Sequence, residues 1–264
     1  MSMKIKMYQV DAFTQELFGG NPAAICLLEK WLPESKMQQI AAENNLAETA
    51  FIVQVEDVFD IRWFTPVIEV DLCGHATLAA AHVIFNHLQF TDNEIEFRSM
   101  HSGVLKVTRS GNMLTLDFPA DTFVKIPTPP NLSKALGMEP METYKGKTDF
   151  MAVLPSEQHV LNLSPDFDKL ALLNVRGVIV TATGTVTDFV SRFFSPVSGI
   201  NEDPVTGSAH TTLTPYWSKE LGKKDLVAAQ LSARKGKLWC KQNGNRVAIS
   251  GHAVTYLTGE IQIN

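Results

Sequence analysis

Residues 59–82 read FDIRWFTPVIEVDLCGHATLAAAH, and residues 189–212 read FVSRFFSPVSGINEDPVTGSAHTT. At a shift of 130 the two align without a gap. Phe59 meets Phe189, Arg62 meets Arg192, Phe64 meets Phe194, Pro66 meets Pro196 and Ala79 meets Ala209. A second match follows at a shift of 133, where SGVLKVTRSGNMLTL at 102–116 faces KGKLWCKQNGNRVAI at 235–249. The change of shift implies a three-residue insertion between the matched blocks. Two matches in the same order describe two similar lobes, whereas a solenoid needs many short repeats.

Each first block reads as strand, loop and helix, with helices over ATLAAAHVIFNHL and SAHTTLTPYWSKEL. Pro215 is expected to kink the second helix or to end its first segment. Each second block reads as a hairpin, with Gly-Asn near its turn between alternating apolar residues. Residues 33–44 make a further helix, with Pro33 in its first turn. Pro127, Pro129 and Pro130 cluster in a stretch, 121–133, that reads as the linker. The expected lobes are residues 1–121 and 127–254.

The chain has 264 residues, 45% hydrophobic and 19% charged, which is an ordinary globular composition. Net charge is 23 − 28 = −5 and no block of like charge stands out, so nucleic acid is not an expected partner. No apolar run approaches the ~20 residues of a membrane span. The N-terminal MSMKIKMYQVDAF alternates like a strand and lacks the long apolar region of a signal peptide, so a cytosolic protein is expected. Cys26, Cys73 and Cys240 form no CxxC, and HExxH, GxGxxG and GxxxxGK[ST] are absent. The expectation is a protein without metal or cofactor.

Two helices begin just after a Gly-containing loop, at Cys73-Gly74-His75 and at Thr206-Gly207-Ser208. Their unpaired N–H groups suit an anion, and if the lobes face each other both point at a carboxylate substrate in the cleft. Thr77, Asp203 and Ser208 also fit as simple helix caps. Glu48 enters an apolar strand among small residues. Partly desolvated, it is a proton-transfer group; exposed, it is an ordinary strand-start glutamate. His75 reads as a packing or capping residue or as a site residue. Cys73 reads either as inert and buried or as a thiol activated by a helix N-terminus.

NPAAICLLEKWL, MQQIAAENNLAETAFIV, RWFTP, DLCGHATLAAAHV, SRFFSP and GINEDPVTGSAH resemble the PhzF, or phenazine-biosynthesis-like, family, from Asp11 to about Gly251. The resemblance implies an α+β fold like that of diaminopimelate epimerase, with two lobes, each a half-barrel of strands around a central helix. It implies that the tail 255–264 is a strand returning to the first lobe. It also implies a homodimer and a cofactor-free isomerisation like that of trans-2,3-dihydro-3-hydroxyanthranilate. Glu48 matches the glutamate of the family's SETAF-type motif, the acid/base, with Ala47 in place of its serine. His75, Asp203 and Ser208 match groups that bind and orient substrate, joined by Asn21, Gly74 and Gly207, with Thr206 and Cys73 as further candidates. In the related epimerase two cysteines act, one per lobe. The first matches Cys73 and the second matches Asp203, so a symmetric two-thiol inversion is disfavoured. Lys235 of SARKG stands where the family's SxRGG pattern has its first glycine.

The leading expectation is an isomerase moving a proton on a small carboxylate-bearing substrate through Glu48. The alternatives are a Cys73/Asp203 epimerase or racemase and a catalytically silent ligand-binding or interaction protein.

Overall fold

GHATLAAAHVIFNH carries apolar or small residues on every side of its first two turns, so that part of the helix has no solvent face to offer. In the computed structural model, which describes residues 3–88 and 90–263, that helix is buried from Gly74 to Ala81. The chain divides into two units, 1–117 with 250–264, and 118–249.

In chain order the first unit contains β1 (Met3–Ala12), β2 (Asn21–Leu28), α1 (Glu34–Asn44), β3 (Glu48–Val55), β4 (Val58–Phe64), β5 (Glu69–Val70), α2 (Gly74–His87), β6 (Glu94–Ser99), β7 (Gly103–Ser110) and most of β8 (Met113–Pro119). The second contains β9 (Val124–Ile126), α3 (Pro130–Leu136), β10 (Glu142–Lys145), β11 (Asp149–Val153), α4 (Glu157–Asn162), α5 (Phe167–Ala171), β12 (Gly177–Thr183), β13 (Phe189–Ser195), β14 (Ile200–Asp203), α6 (Gly207–Leu221), β15 (Asp225–Gln230), β16 (Gly236–Asn243) and most of β17 (Arg246–Gly251). The last strand, β18 (Ala253–Ile263), belongs to the first unit and pairs antiparallel with β1.

The same pairing scheme recurs in both units. In the first, β2 runs parallel to β3, β3 antiparallel to β4, and β4 antiparallel to β5 and parallel to β6. In the second, β11 runs parallel to β12, β12 antiparallel to β13, and β13 antiparallel to β14 and parallel to β15. Each unit is therefore a mixed sheet with helices. α2 packs on β1, β2, β3 and β18, and its alanines at 76, 79, 80 and 81 let those strands approach closely. α1 covers another face, where Met37, Ile40 and Ala41 meet Ile5, Phe51 and Phe64. In the second unit Leu132, Leu136, Val160 and Leu170 pack on Val178, Val180 and Phe194.

The structure adds detail to three sequence readings. The proline-rich stretch is not a bare linker, because it holds β9 and the start of α3, where Pro130 occupies the first turn. The units part at 117/118, ahead of that stretch, and at 249/250, ahead of 254. Pro215 lies inside α6 and does not end it. The carbonyl it leaves without an intrahelical partner is that of Thr211, which accepts the Asp121 N–H at 3.1 Å. The two Gly-Asn turns each place glycine at positive φ, +58° for Gly111 and +59° for Gly244. Lys235 takes the same left-handed region at +55°, a conformation that suits the glycine it replaces. Among the described residues no helix is long and apolar enough to cross a membrane.

Candidate functional site

The helix register within the two units settles which residues are equivalent. Trp63 pairs with Val70 in one, and Phe193 with Asp203 in the other. Since Trp63 and Phe193 are 130 apart, Asp203 corresponds to Val70, 133 away. α2 begins at Gly74 behind Cys73, and α6 begins at Gly207 behind Thr206. The three-residue insertion thus lies in the turn after Pro196, before the helix. The residue equivalent to Cys73 is Thr206, not Asp203, and Ala76, not Ala79, answers to Ala209. An Arg–carboxylate clamp repeats across the insertion: Arg62 holds Glu69, and Arg192 holds Glu202.

In the first unit, β2, β3 and α2 bring Asn21, Glu48, Cys73 and His75 together. The β2–β3 register sets Glu48 opposite Ala23, two residues from Asn21. His75 Nε2 lies 3.1 Å from Glu48 Oε2. The two atoms are buried and misaligned for a hydrogen bond, so neither has a hydrogen-bond partner. On the other side of the ring, Nδ1 is 3.1 Å from Asn21 Nδ2 and 3.5 Å from Cys73 Sγ. A neutral ring accepts the Asn21 amide N–H at Nδ1. A charged ring donates there, which requires Asn21 to present its oxygen.

Burial opposes a charge on His75, but the Coulombic pull of Cys73 and Glu48 outweighs it, so the pKa stands well above the ordinary imidazole value. Cys73 is pushed up to about 11, by burial first and then by Glu48. As a neutral thiol near neutral pH it exerts no Coulombic pull, so of the two groups that raise the His75 pKa only Glu48 then acts. Of the two sequence readings of Cys73, its burial accords with the inert one, because desolvation opposes the thiolate. Neither Cys73 nor Thr206 makes a side-chain cap bond, and Thr77 Oγ1 instead donates to the Cys73 carbonyl at 2.6 Å.

In the second unit Asp203 closes β14 and Thr206 precedes α6. Thr206 Oγ1 donates to Asp203 Oδ2 at 2.5 Å. Gln230, fully buried on β15, ties this loop together. Its Oε1 accepts the Thr206 N–H at 2.8 Å, and its Nε2 donates to the Asp203 carbonyl at 2.8 Å and to Thr206 Oγ1 at 3.1 Å. Ser208, the second residue of α6, accepts from Arg176 Nη2 at 3.1 Å. Arg176 also grips the buried Asp149 through Nε at 2.9 Å and through Nη2. Burial works against the guanidinium charge, and Asp149 outweighs it.

Gln230, Arg176 and Asp149 were not singled out by the sequence. A signal for Arg176 existed in the repeat. Thr49 faces Phe64 and Val178 faces Phe194, so Gly177 takes the place of Glu48 and Arg176 that of Ala47. No side chain fits at Gly177, since a Cβ there meets the Phe193 ring at 2.3 Å. Where one unit carries a carboxylate, the other carries a cation one residue earlier.

A family model described as phenazine biosynthesis-like protein matches residues 10–259. The chain belongs to the PhzF family. A relative named as an uncharacterized isomerase of Pseudomonas aeruginosa is 49% identical, the alignment covering 99% of this chain and all of the relative. The crystal structure of a PhzF-family protein from Enterococcus faecalis superposes with a TM-score of 0.95 at 49% identity, covering 99% of this chain and 100% of that one. Likeness of fold alone extends this PhzF scaffold to a hydroxyproline epimerase from Agrobacterium vitis, with a TM-score of 0.64 at 8% identity, over 98% and 93% of the two chains.

Proposed function

We propose that the protein is a cofactor-independent isomerase that moves a proton on a small carboxylate-bearing substrate, with Glu48 as the general acid/base. The observation that carries this is the buried contact between Glu48 and a His75 whose charge it supports. A carboxylate with one buried oxygen beside a proton-bearing ring can accept a proton and return it. Arg176 and Ser208 at the start of α6 suit an anionic group. Arg176 occupies a lone pair of Ser208, which leaves that hydroxyl to donate. Gly74 and Gly207 would offer backbone N–H groups to developing negative charge, with Asp203 and Thr206 orienting polar substituents. Asn21 acts in this reading through His75. The half-barrel form of each unit is supported by α2 and α6, which are buried along most of their length. The names of the isomerase relatives accord with the reading.

Cys73, 3.5 Å from the His75 ring, favours a second reading, thiol-dependent epimerisation. The equivalence of Cys73 with Thr206 leaves that thiol without a repeat-related partner at Asp203. Incubation in D2O with dihydrohydroxyanthranilate and a panel of amino and hydroxy acids, followed by NMR, separates the two. Deuterium entering at a shifted position, insensitive to Cys73→Ser, supports the isomerase. Inversion at one carbon, lost in Cys73→Ser, supports the epimerase.

A further inference from the structure

On β7 the side chains of Leu105 and Val107 are buried, and Arg109 comes next in the same alternation, so its side chain turns inward toward α2. There the guanidinium lies over the Phe85 ring, 4.4 Å from its centre, and Nη1 donates at 3.4 Å to the Phe85 carbonyl, one of those the end of α2 leaves open. That bond uses one of five N–H groups and leaves the Nε and Nη2 donors uncommitted. Arg62, Arg98, Arg176 and Arg192 each hold a carboxylate. Arg109, half-buried, holds none among the described residues. Beside it a cavity of about 530 Å³ opens within the first unit, between the second half of α2, the β7–β8 turn and the start of β18. Gln15, His82, Asn86, Asn112 and His252 line it together with Arg109, and among the described residues no carboxylate does. His82 is a neutral wall. Its Nε2 lies 2.9 Å from Thr255 Oγ1, its Nδ1 accepts from Asn86 Nδ2 at 3.2 Å, and burial holds its pKa down to about 4. His252 Nδ1 donates to the Asn112 carbonyl at 3.0 Å and so braces the turn.

We propose that this cavity is a second binding site, for a small polar organic anion whose phosphate or carboxylate head is received by Arg109. A cation half-removed from water and facing no carboxylate gains its partner when an oxyanion enters. Two uncommitted donors on one planar group match the paired oxygens of either head. The cavity falls within the roughly 300–1,000 Å³ of small-molecule sites and is larger than a bare ion needs, so the Gln15 and Asn112 carboxamides meet a polar body attached to the head. Its lining includes none of Asn21, Glu48, Cys73 and His75, so binding here does not rest on the acid/base reading.

Titration of the isotope-labelled full chain with sodium phosphate and, separately, with sodium acetate, at ionic strength held constant with sodium chloride, tests the site without any substrate. NMR reads the Arg109 Nε–H and the side-chain amides of Gln15 and Asn112. The expected result is saturating shifts with at least one of the two ions, with a Kd of about 1–10 mM for so small a probe. The ion that saturates identifies the head group. Glycerol 3-phosphate or citrate, which carry the same heads on a polar body, should then bind about tenfold or more tightly than the bare ion. Arg109→Gln should abolish saturation at the two amides. Arg109→Lys, which keeps the charge without the planar fork, should weaken binding several-fold. Unchanged circular dichroism of both variants excludes misfolding as the cause. Shifts that rise linearly with both ions, or saturation that survives in Arg109→Gln, overturn the site.

Discussion

Replacing Gln230 with leucine keeps the side-chain volume close and removes three polar contacts from the loop that carries Asp203 and Thr206. The buried Thr206 N–H loses its acceptor, an orphaning worth about 1–3 kcal/mol. The bonds to the Asp203 carbonyl and to Thr206 Oγ1 add about 0.5–1.5 kcal/mol each. Together the change should destabilise the protein by about 2–6 kcal/mol, about half of it from one backbone amide. Urea titration of both proteins, with slopes compared as well as midpoints, reads the loss directly. Amide hydrogen exchange at Thr206 reads its location and should accelerate selectively. A loss under about 1 kcal/mol with unchanged protection of Thr206 would refute the idea that Gln230 holds this loop.

Lys235→Gly relieves a left-handed lysine costing about 1–2 kcal/mol, less the entropy of glycine, and should stabilise by about 0.5–1 kcal/mol in a urea titration. A destabilised variant would show that the lysine side chain contributes more than its backbone costs. Pro215→Ala should change stability by less than about 1 kcal/mol, because Asp121 already satisfies the freed Thr211 carbonyl. A gain near 3 kcal/mol would mean that the proline strains α6 after all. Burial holds the His210 pKa down to about 4. Its unfolded value lies near 6.5, so the unfolded chain binds the extra proton first, and about 3 kcal/mol is lost as pH falls from 6.5 to 4. His210→Gln should flatten that slope. His75 has the opposite sign, with a stabilising contribution full below pH 6.5 and lost as pH rises through its elevated native pKa. A wild-type advantage over His75→Gln that grows with pH would contradict it.

The repeat made much of the fold legible because strand pairs and helix starts recur with their apolar spacing. Its register failed at one place. The gap-free match carried the alignment past Pro196, and only the strand partners of Val70 and Asp203 reveal where the three extra residues sit. Glu48, His75 and Asn21 were legible through motif resemblance, not through local pattern, since a strand-start glutamate looks the same buried or exposed. Of the two readings of Pro215 only an end to the helix is set aside, and the N–H that serves the freed Thr211 carbonyl comes from Asp121, far away in sequence. Gln230 and Asp149 escaped notice because a buried polar residue on a strand declares itself only when its partners are placed around it.

The central claim is that Glu48 moves the proton. Deuterium incorporation into the exchanging substrate, measured by NMR for wild type and Glu48→Gln at saturating concentration, tests it most directly. The account predicts a rate lower by about 10²–10⁴-fold in the variant, with circular dichroism and substrate binding unchanged. Incorporation within a few-fold of wild type in Glu48→Gln, with loss instead in Cys73→Ser, would contradict it.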